Sequence, residues 1–301
     1  MVNGFLNLYK PSGITSMEAV RQIKKPLGRI KVGHCGTLDP LAEGVLPIAI
    51  GTASRIVEYV LHESKTYKAR IQLGQTTNTF DSEGIVTNTQ PTSHITSQLI
   101  QDTLKNYLGN IRQVPPIFSA LKRQGKPLYK YAREGRQIAI EAREVTIHNI
   151  DLLAVANPYI DLRVECGAGT YIRSLAHDLG NSLGCGGHLS ALIREDSSGF
   201  NIADTVSLAT LTKNITQSPE DILKYLLPID APIKYIPKLG VTHLNALALG
   251  HGRPIPAHHH HHQEWDSRSP LRRAYNPSST FISIIEFNDS NGTWKPVKVF
   301  Y

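Results

Sequence analysis

The sequence predicts an α+β fold: a body in which helices and strands mix, followed by a small β-rich C-terminal domain. Three observations predict it. Helical and strand periodicities alternate irregularly, without the steady strand–helix beat of a doubly wound parallel sheet. A proline-rich stretch at 228–237 reads as a linker between regions of different composition. Beyond it, short alternating runs replace the amphipathic helices. A chain of 301 residues suits about two domains.

The N-terminal run ending at Lys10 has no basic segment leading into an apolar one, so it reads as a strand and not as a signal peptide. Thr15 with Glu18 three residues later forms a capping box. Val20, Ile23 and Leu27 then make one apolar helical stripe, closed by Pro26 and Gly28. Ile56, Val57, Val60 and Leu61 give a second stripe, with Thr52 as its expected N-cap. From Lys65 to Leu73 the period switches to two. Tyr67, Ala69, Ile71 and Leu73 share one face and Lys68, Arg70 and Gln72 the other, which is a half-buried strand. A helix runs from Thr96 through Leu99, Ile100, Leu104 and Leu108 and stops at Gly109. Ile160, Leu162, Val164 and Cys166 alternate before a sharp turn at Gly167-Ala168-Gly169. That turn leads into a helix expected to be capped by Thr170, with Ile172, Leu175, Ala176 and Leu179 as its stripe. Pro219, Glu220 and Asp221 open a further helix. In the tail, runs at 281–287 and 294–300 flank an Asn291-Gly292 hairpin turn.

With 41% hydrophobic and 19% charged residues the chain can bury a substantial core. A net charge of +7 suits a polyanionic partner. Three cysteines, Cys35, Cys166 and Cys185, with no CxxC pair exclude a disulfide scaffold and fit a reducing compartment. The longest apolar stretch, 45–50, is broken by Pro47 and is too short to span a membrane, so a soluble cytoplasmic protein is expected. GxxxxGKS/T, HExxH, GxSxG and HxE…PCxxC are all absent, which removes the simplest support for nucleotide hydrolysis, zinc proteolysis, serine hydrolysis and zinc deamination. Gly167-Ala168-Gly169 lacks the third glycine of a dinucleotide loop and reads as a tight turn. Cys185 and His188, with Cys166 and His177, do not match a zinc spacing. The five histidines at 258–262 read as a low-complexity loop.

The densest functional candidate is the stretch 33–47, with its glycines, prolines, His34, Asp39 and Glu43. Pro40 biases Asp39 to an extended backbone that can present its carboxylate; the competing reading is an Asx-type turn. Arg173 in a first helical turn opposes the helix dipole, which points either to an acidic partner or to an arginine reaching into solvent. Lys122, Arg123, Lys126, Lys130, Arg133 and Arg136 interleave with Tyr129 and Tyr131, a pattern that suits folded RNA and equally a solvated helix.

Five segments, in this order, resemble the TruB-type tRNA pseudouridine synthases, which isomerise uridine 55 in the TΨC loop. They are Leu8-Tyr9-Lys10-Pro11-Ser12-Gly13, the run from Gly33 to Ala42, Lys65-Thr66-Tyr67, Ser119-Ala120-Leu121-Lys122, and Gly169-Thr170-Tyr171-Ile172-Arg173. The resemblance covers about residues 3–230 and implies a mixed, largely antiparallel sheet flanked by helices. It implies Asp39 as catalytic aspartate, Tyr67 as active-site tyrosine and Arg173 as the arginine paired with Asp39. His34 falls at the histidine that holds the target nucleotide out of the RNA stack. Lys10 supports the site, and Lys122, Lys130 and Arg133 lie in an RNA-gripping insertion at about 115–143. Residues 1–230 are then the catalytic domain and 231–301 a PUA-like RNA-binding module. The implied partner is tRNA alone, bound by a monomer with no obligate protein partner, no membrane, no cofactor and no metal. Cys35 replaces the threonine expected between His34 and Gly36, and a thiol there predicts sensitivity to oxidation.

Uridine isomerisation breaks the N1–C1′ bond, turns the uracil and rejoins it through C5. A carboxylate can attack C1′ or C6, or take a proton on a glycal route. Arg173 is expected to keep Asp39 ionised and aimed, since a nearby cation lowers a carboxylate pKa. Two other readings share these residues: an RNA-binding protein without activity, and a nucleoside N-glycosidase that releases free uracil.

Overall fold

The computed structural model describes residues 2–136, 138–257 and 270–300, so the histidines at 258–262 lie outside the described residues. Strand β1 (Gly4–Lys10) is buried on both faces, with Leu6, Leu8 and Lys10 on one side and Phe5 and Asn7 on the other. Helix α1 (Ser16–Leu27) begins with the predicted capping box: Thr15 Oγ1 accepts from the Glu18 amide at 3.1 Å, and Glu18 Oε2 accepts from the Thr15 amide at 2.7 Å. Pro26 sits in its last turn and Gly28 ends it.

Strands β2 (Val32–His34) and β3 (Glu43–Ile50) follow, then a 3-10 turn (Gly51–Ile56) and α2 (Val57–Leu61). Thr52 is therefore not the N-cap of α2. It stands inside the 3-10 turn, where its amide donates to Asn3 Oδ1 at 2.9 Å. Strand β4 (Lys65–Leu73) buries alternate residues as predicted. A small hairpin, β5 (Gln75–Thr77) with β6 (Val86–Thr89), leads to α3 (Ser97–Leu104), capped by Thr96, and to β7 (Gly109–Gln113).

An arm of short elements comes next: β8 (Lys122–Arg123), β9 (Lys126–Pro127) and α4 (Leu128–Arg133). The long hairpin β10 (Arg143–Ala156) and β11 (Tyr159–Cys166) precedes α5 (Ile172–Ser182) and β12 (Gly187–Ser197). The N-cap of α5 is Tyr171, not Thr170. The Thr170 hydroxyl donates instead to Gly167 O at 3.0 Å and closes the tight turn. Short strands β13 (Phe200–Asn201), β14 (Val206–Ser207) and β15 (Leu226–Leu227) surround α6 (Leu208–Gln217) and the 3-10 turn Pro219–Tyr225.

These strands form one mixed sheet in the order β14-β1-β3-β12-β4-β11-β10-β7, with β13, β15 and β2 paired beside β12, β1 and β3. Only β1 with β14 and β3 with β12 run parallel within it, so the sheet is largely antiparallel. One face packs α1, α5 and α6 through Val20, Ile23, Leu175 and Leu211. The other carries Phe5, Val45, Ala49 and Phe200.

The tail forms a second sheet in the order β16-β18-β19-β20-β17, from β16 (Lys238–Gly240), β17 (Ile255–Pro256), β18 (Leu271–Tyr275), β19 (Phe281–Asn288) and β20 (Thr293–Val299), packed on α7 (His243–Gly250). Its hairpin turns over residues 289–292 with Gly292 N donating to Asn288 O at 3.0 Å, a longer connection than the two-residue Asn-Gly turn expected. The stretch 228–237 is not a loose linker: Ile233 and Ile236 are fully buried against Phe5, Val45, Ile56 and Ile284, and the prolines only shape the turns between these anchors. Among the described residues no helix is long and apolar enough to cross a membrane.

Candidate active site

The glycine- and proline-rich loop between β2 and β3 is held from two sides. From the α1 side, Ser16 Oγ accepts from the Leu38 amide at 2.8 Å and donates to Leu38 O at 2.9 Å. Gly13 N donates to Pro40 O at 2.8 Å and Ser12 Oγ to Leu41 O at 2.9 Å. From the sheet side, Arg194 on β12 donates through Nε to Val45 O at 2.7 Å and through Nη2 to Gly36 O at 3.1 Å. The Asp39 backbone carbonyl accepts from Ala42 N at 3.1 Å and makes the local turn itself. Its side chain is thereby left to reach out, and the Asx-type reading does not describe it.

The carboxylate meets Arg173 from the first turn of α5. Arg173 Nε lies 2.9 Å from Asp39 Oδ2, and Nη2 donates to Oδ1 at 3.3 Å. Arg173 is 5% exposed, so the reading of an arginine in solvent falls away. Its remaining donors are also engaged: Nη1 with Thr79 O at 3.2 Å and Nη2 with Phe118 O at 2.9 Å. Nη1 further lies 3.4 Å from Asp81 Oδ2, so one guanidinium bridges two carboxylates. Asp81 is 3% exposed and is held by the Thr79 hydroxyl at 2.5 Å and the Glu83 amide at 3.1 Å. Asp81 carries no signal in the sequence, since an acid just beyond the polar run Thr76-Thr77-Asn78-Thr79 looks like an ordinary surface turn. The hint the sequence does hold is distant: Arg173, a cation placed against a helix dipole.

Burial in the cleft raises the Asp39 carboxyl above the ordinary aspartate value; Arg173 pulls it down and the negative Asp81 adds to the rise. The expected downward pull of Arg173 on the Asp39 carboxyl is present but does not set the net direction. The cation aims and partly offsets the carboxylate, but desolvation outweighs it.

Asp39, Tyr67, Tyr171 and Arg173 line one cavity of about 270 Å³, with Gly36 and Arg194 in its wall. That volume is near the lower end for small-ligand pockets, which suits a single base and not a stack. Tyr67, on the buried face of β4, is 8% exposed. Its phenol is raised by burial while Arg194 pulls it down, so it is neutral at neutral pH. The root of the arm is fastened beside this cavity. Gln113 exchanges two hydrogen bonds with the Tyr171 backbone, at 2.8 and 3.0 Å, and Ser174 Oγ donates to Val114 O at 2.7 Å.

The other candidate residues fall elsewhere. His34 lies on β2, half-buried and outside the cavity wall; burial and Arg194 lower its imidazole pKa. Lys10 is fully buried and its ammonium donates to Pro11 O at 2.8 Å, Ile14 O at 2.7 Å and Pro40 O at 3.4 Å, which places it behind the loop and not in reach of a phosphate. Burial lowers its pKa to about 8. Lys122, Lys130 and Arg133 are exposed on the arm, with Arg133 over the Tyr129 ring at 5.4 Å. Cys35 is 1% exposed and burial pushes its thiol up to about 12, so the expected sensitivity to oxidation is corrected: no thiolate is available there.

The chain is similar to known proteins along nearly its whole length. The family model described as TruB family pseudouridylate synthase (N terminal domain) matches residues 24–172, and that for the tRNA pseudouridylate synthase B C-terminal domain matches 173–234. A tRNA pseudouridine synthase B of Clostridium kluyveri is 43% identical over 299 residues, covering 99% of this chain and 100% of that protein. One from Dehalococcoides mccartyi (strain CBDB1) is 38% identical over 299 residues, covering 99% and 97%. Among solved structures, an H/ACA RNP bound to a substrate RNA containing 2′-deoxyuridine matches with a TM-score of 0.74 at 25% identity, over 99% of this chain and 85% of that one. A Cbf5-Nop10-Gar1 complex matches with a TM-score of 0.74 at 27% identity, over 99% and 84%.

Proposed function

The chain belongs to the TruB family of pseudouridylate synthases and is a tRNA pseudouridine synthase, and from that premise we propose that it isomerises uridine 55 of the TΨC loop with Asp39 as its catalytic carboxylate. The observation that carries this reading is the ion pair of Asp39 with a buried Arg173 in the lining of a base-sized cavity. The target uridine leaves the RNA stack to enter that cavity, at a cost of a few kcal/mol offset by contacts to the RNA backbone. Asp39 acts on the sugar or the uracil ring, Arg173 aims it, and Tyr67 stacks on the base and takes part in proton transfer. The exposed cations Lys122, Lys130 and Arg133 of the arm grip tRNA, His34 helps hold the turned-out nucleotide, and Lys10 supports the loop from behind. Residues 1–230 serve as the catalytic domain and 231–301 as an RNA-binding module, in a monomer that needs no protein partner and works in the cytoplasm.

The test is mapping pseudouridine in tRNA treated with the purified protein. One new pseudouridine at position 55 is expected; modification at another position, or release of free uracil, defeats the reading. Asp39→Asn is expected to abolish isomerisation while tRNA affinity stays within about tenfold, because phosphate contacts dominate affinity. Measurable turnover by that variant removes Asp39 from its role.

A further inference from the structure

Arg194, like Lys10, is a buried cation held by backbone carbonyls. It is 1% exposed and heads the fully buried side chains by volume, yet among the described residues no carboxylate lies within ion-pair distance of it. Burying an unpaired cation costs several kcal/mol, and an apolar residue of similar volume would serve stability as well or better. What the guanidinium does instead is visible in its acceptors. Gly36 O at 3.1 Å and Thr37 O at 3.5 Å precede Asp39 in the loop, and Val45 O at 2.7 Å follows it. One planar fork thus ties the entry and the exit of the loop to β12, while Ser16 holds its middle from α1. Three divergent carbonyls need the five fixed donors of an arginine; an ammonium on a flexible stem cannot meet them together.

The backbone brings the two strands together at this point. Arg194 pairs with Gly44 across the short parallel contact of β12 with β3, and a Cβ on Gly44 would lie 2.4 Å from Arg194 O. Arg194 also lines the cavity, where its charge acts on the Tyr67 phenol.

We propose that Arg194 is a positioning residue for the isomerisation, setting the place of Asp39 in the cleft by clamping both ends of its loop. The inference rests on Asp39 being the catalytic carboxylate.

The test uses the full-length enzyme and tRNA. Single-turnover rates at saturating tRNA, tRNA Kd and thermal melts are measured for Arg194→Lys and Arg194→Ala, each below its own unfolding midpoint. Arg194→Lys keeps the charge and loses the fork, and its rate is expected to fall about a hundredfold, the scale of an ångström misplacement. Its tRNA Kd is expected to stay within about threefold, since phosphate contacts lie elsewhere. Methylguanidinium restores part of the rate of Arg194→Ala, and methylammonium does not. A rate for the folded lysine variant within about twofold of wild type overturns the proposal, as does a loss carried wholly by Kd. A folded, inactive alanine variant indifferent to methylguanidinium counts against it equally. Asp39→Asn separates the two levels: turnover by that variant sinks the reading of Asp39, whereas its inertness beside a normal Arg194→Lys sinks only the clamp.

Discussion

At the scale of single residues the candidate site is built on an arginine between two aspartates. Arg173 touches Asp39 at 2.9 Å and Asp81 at 3.4 Å. Because burial raises Asp39, the folded protein favours its neutral form more than a free aspartate does, and activity that needs the carboxylate is lost as pH falls through that raised value. The acid limb of the kcat profile is therefore expected above about 3.9, the value for an unperturbed aspartate. Arg173→Met removes the main opposing influence, so its residual activity is expected to show a limb at still higher pH. A limb unmoved in that variant would disconnect the ion pair from the rate. The same shift means the folded state binds this proton more tightly than the unfolded chain, so the stability it contributes is lost as pH rises through the window. From the residues alone Asp39 was readable only as a candidate, and Arg173 only as a cation in an awkward place. Their pairing joins segments far apart in the chain, and no local pattern encodes it.

At the scale of elements, what was legible is what short-range chemistry controls. The Thr15–Glu18 capping box and the alternation of β4 are settled by neighbours in sequence, and both stand as expected. Thr52 and Thr170 carried the same kind of signal, yet Thr52 falls inside the 3-10 turn Gly51–Ile56 and Thr170 closes the turn from Gly167 ahead of α5. The loop bearing Asp39 depends on β3 and β12 approaching closely at Gly44, whose φ of +101° also disfavours any side chain. Gly44→Ala is expected to destabilise the protein by about 3 kcal/mol, combining overpacking with backbone strain. Urea unfolding measures this, and a midpoint equal to wild type would show that the strands separate freely there.

At the scale of the whole molecule the tail is joined firmly to the body. Ile233, Ile236 and Ile284 share a core with Phe5, Val45 and Ile56. Arg273, 3% exposed, lies 2.8 Å from Asp230, and the Tyr275 hydroxyl donates to the same carboxylate. Lys298 meets Glu58 at 2.8 Å, and Arg55 donates to Val299 O at 2.6 Å, both just ahead of the Leu61 and Lys65 that line the cavity. Calorimetry of the full chain is expected to show one cooperative transition, and deletion of 231–301 to lower the melting temperature of what remains. Two separated transitions would mean that these contacts do not couple the parts.

The sequence by itself determined the α+β class, helices α1 and α5, strands β4 and β11, the basic arm and the loop that carries Asp39. Periodicity, capping and turn chemistry act over a few residues and can be read wherever they occur. Only the tertiary structure decided that Arg173 bridges Asp39 and Asp81, that Lys10 faces inward, that Cys35 is inert and that Arg194 closes the loop. Each of these depends on burial and on partners drawn from distant strands, and desolvation and ion pairing have no value until the chain has brought those groups together.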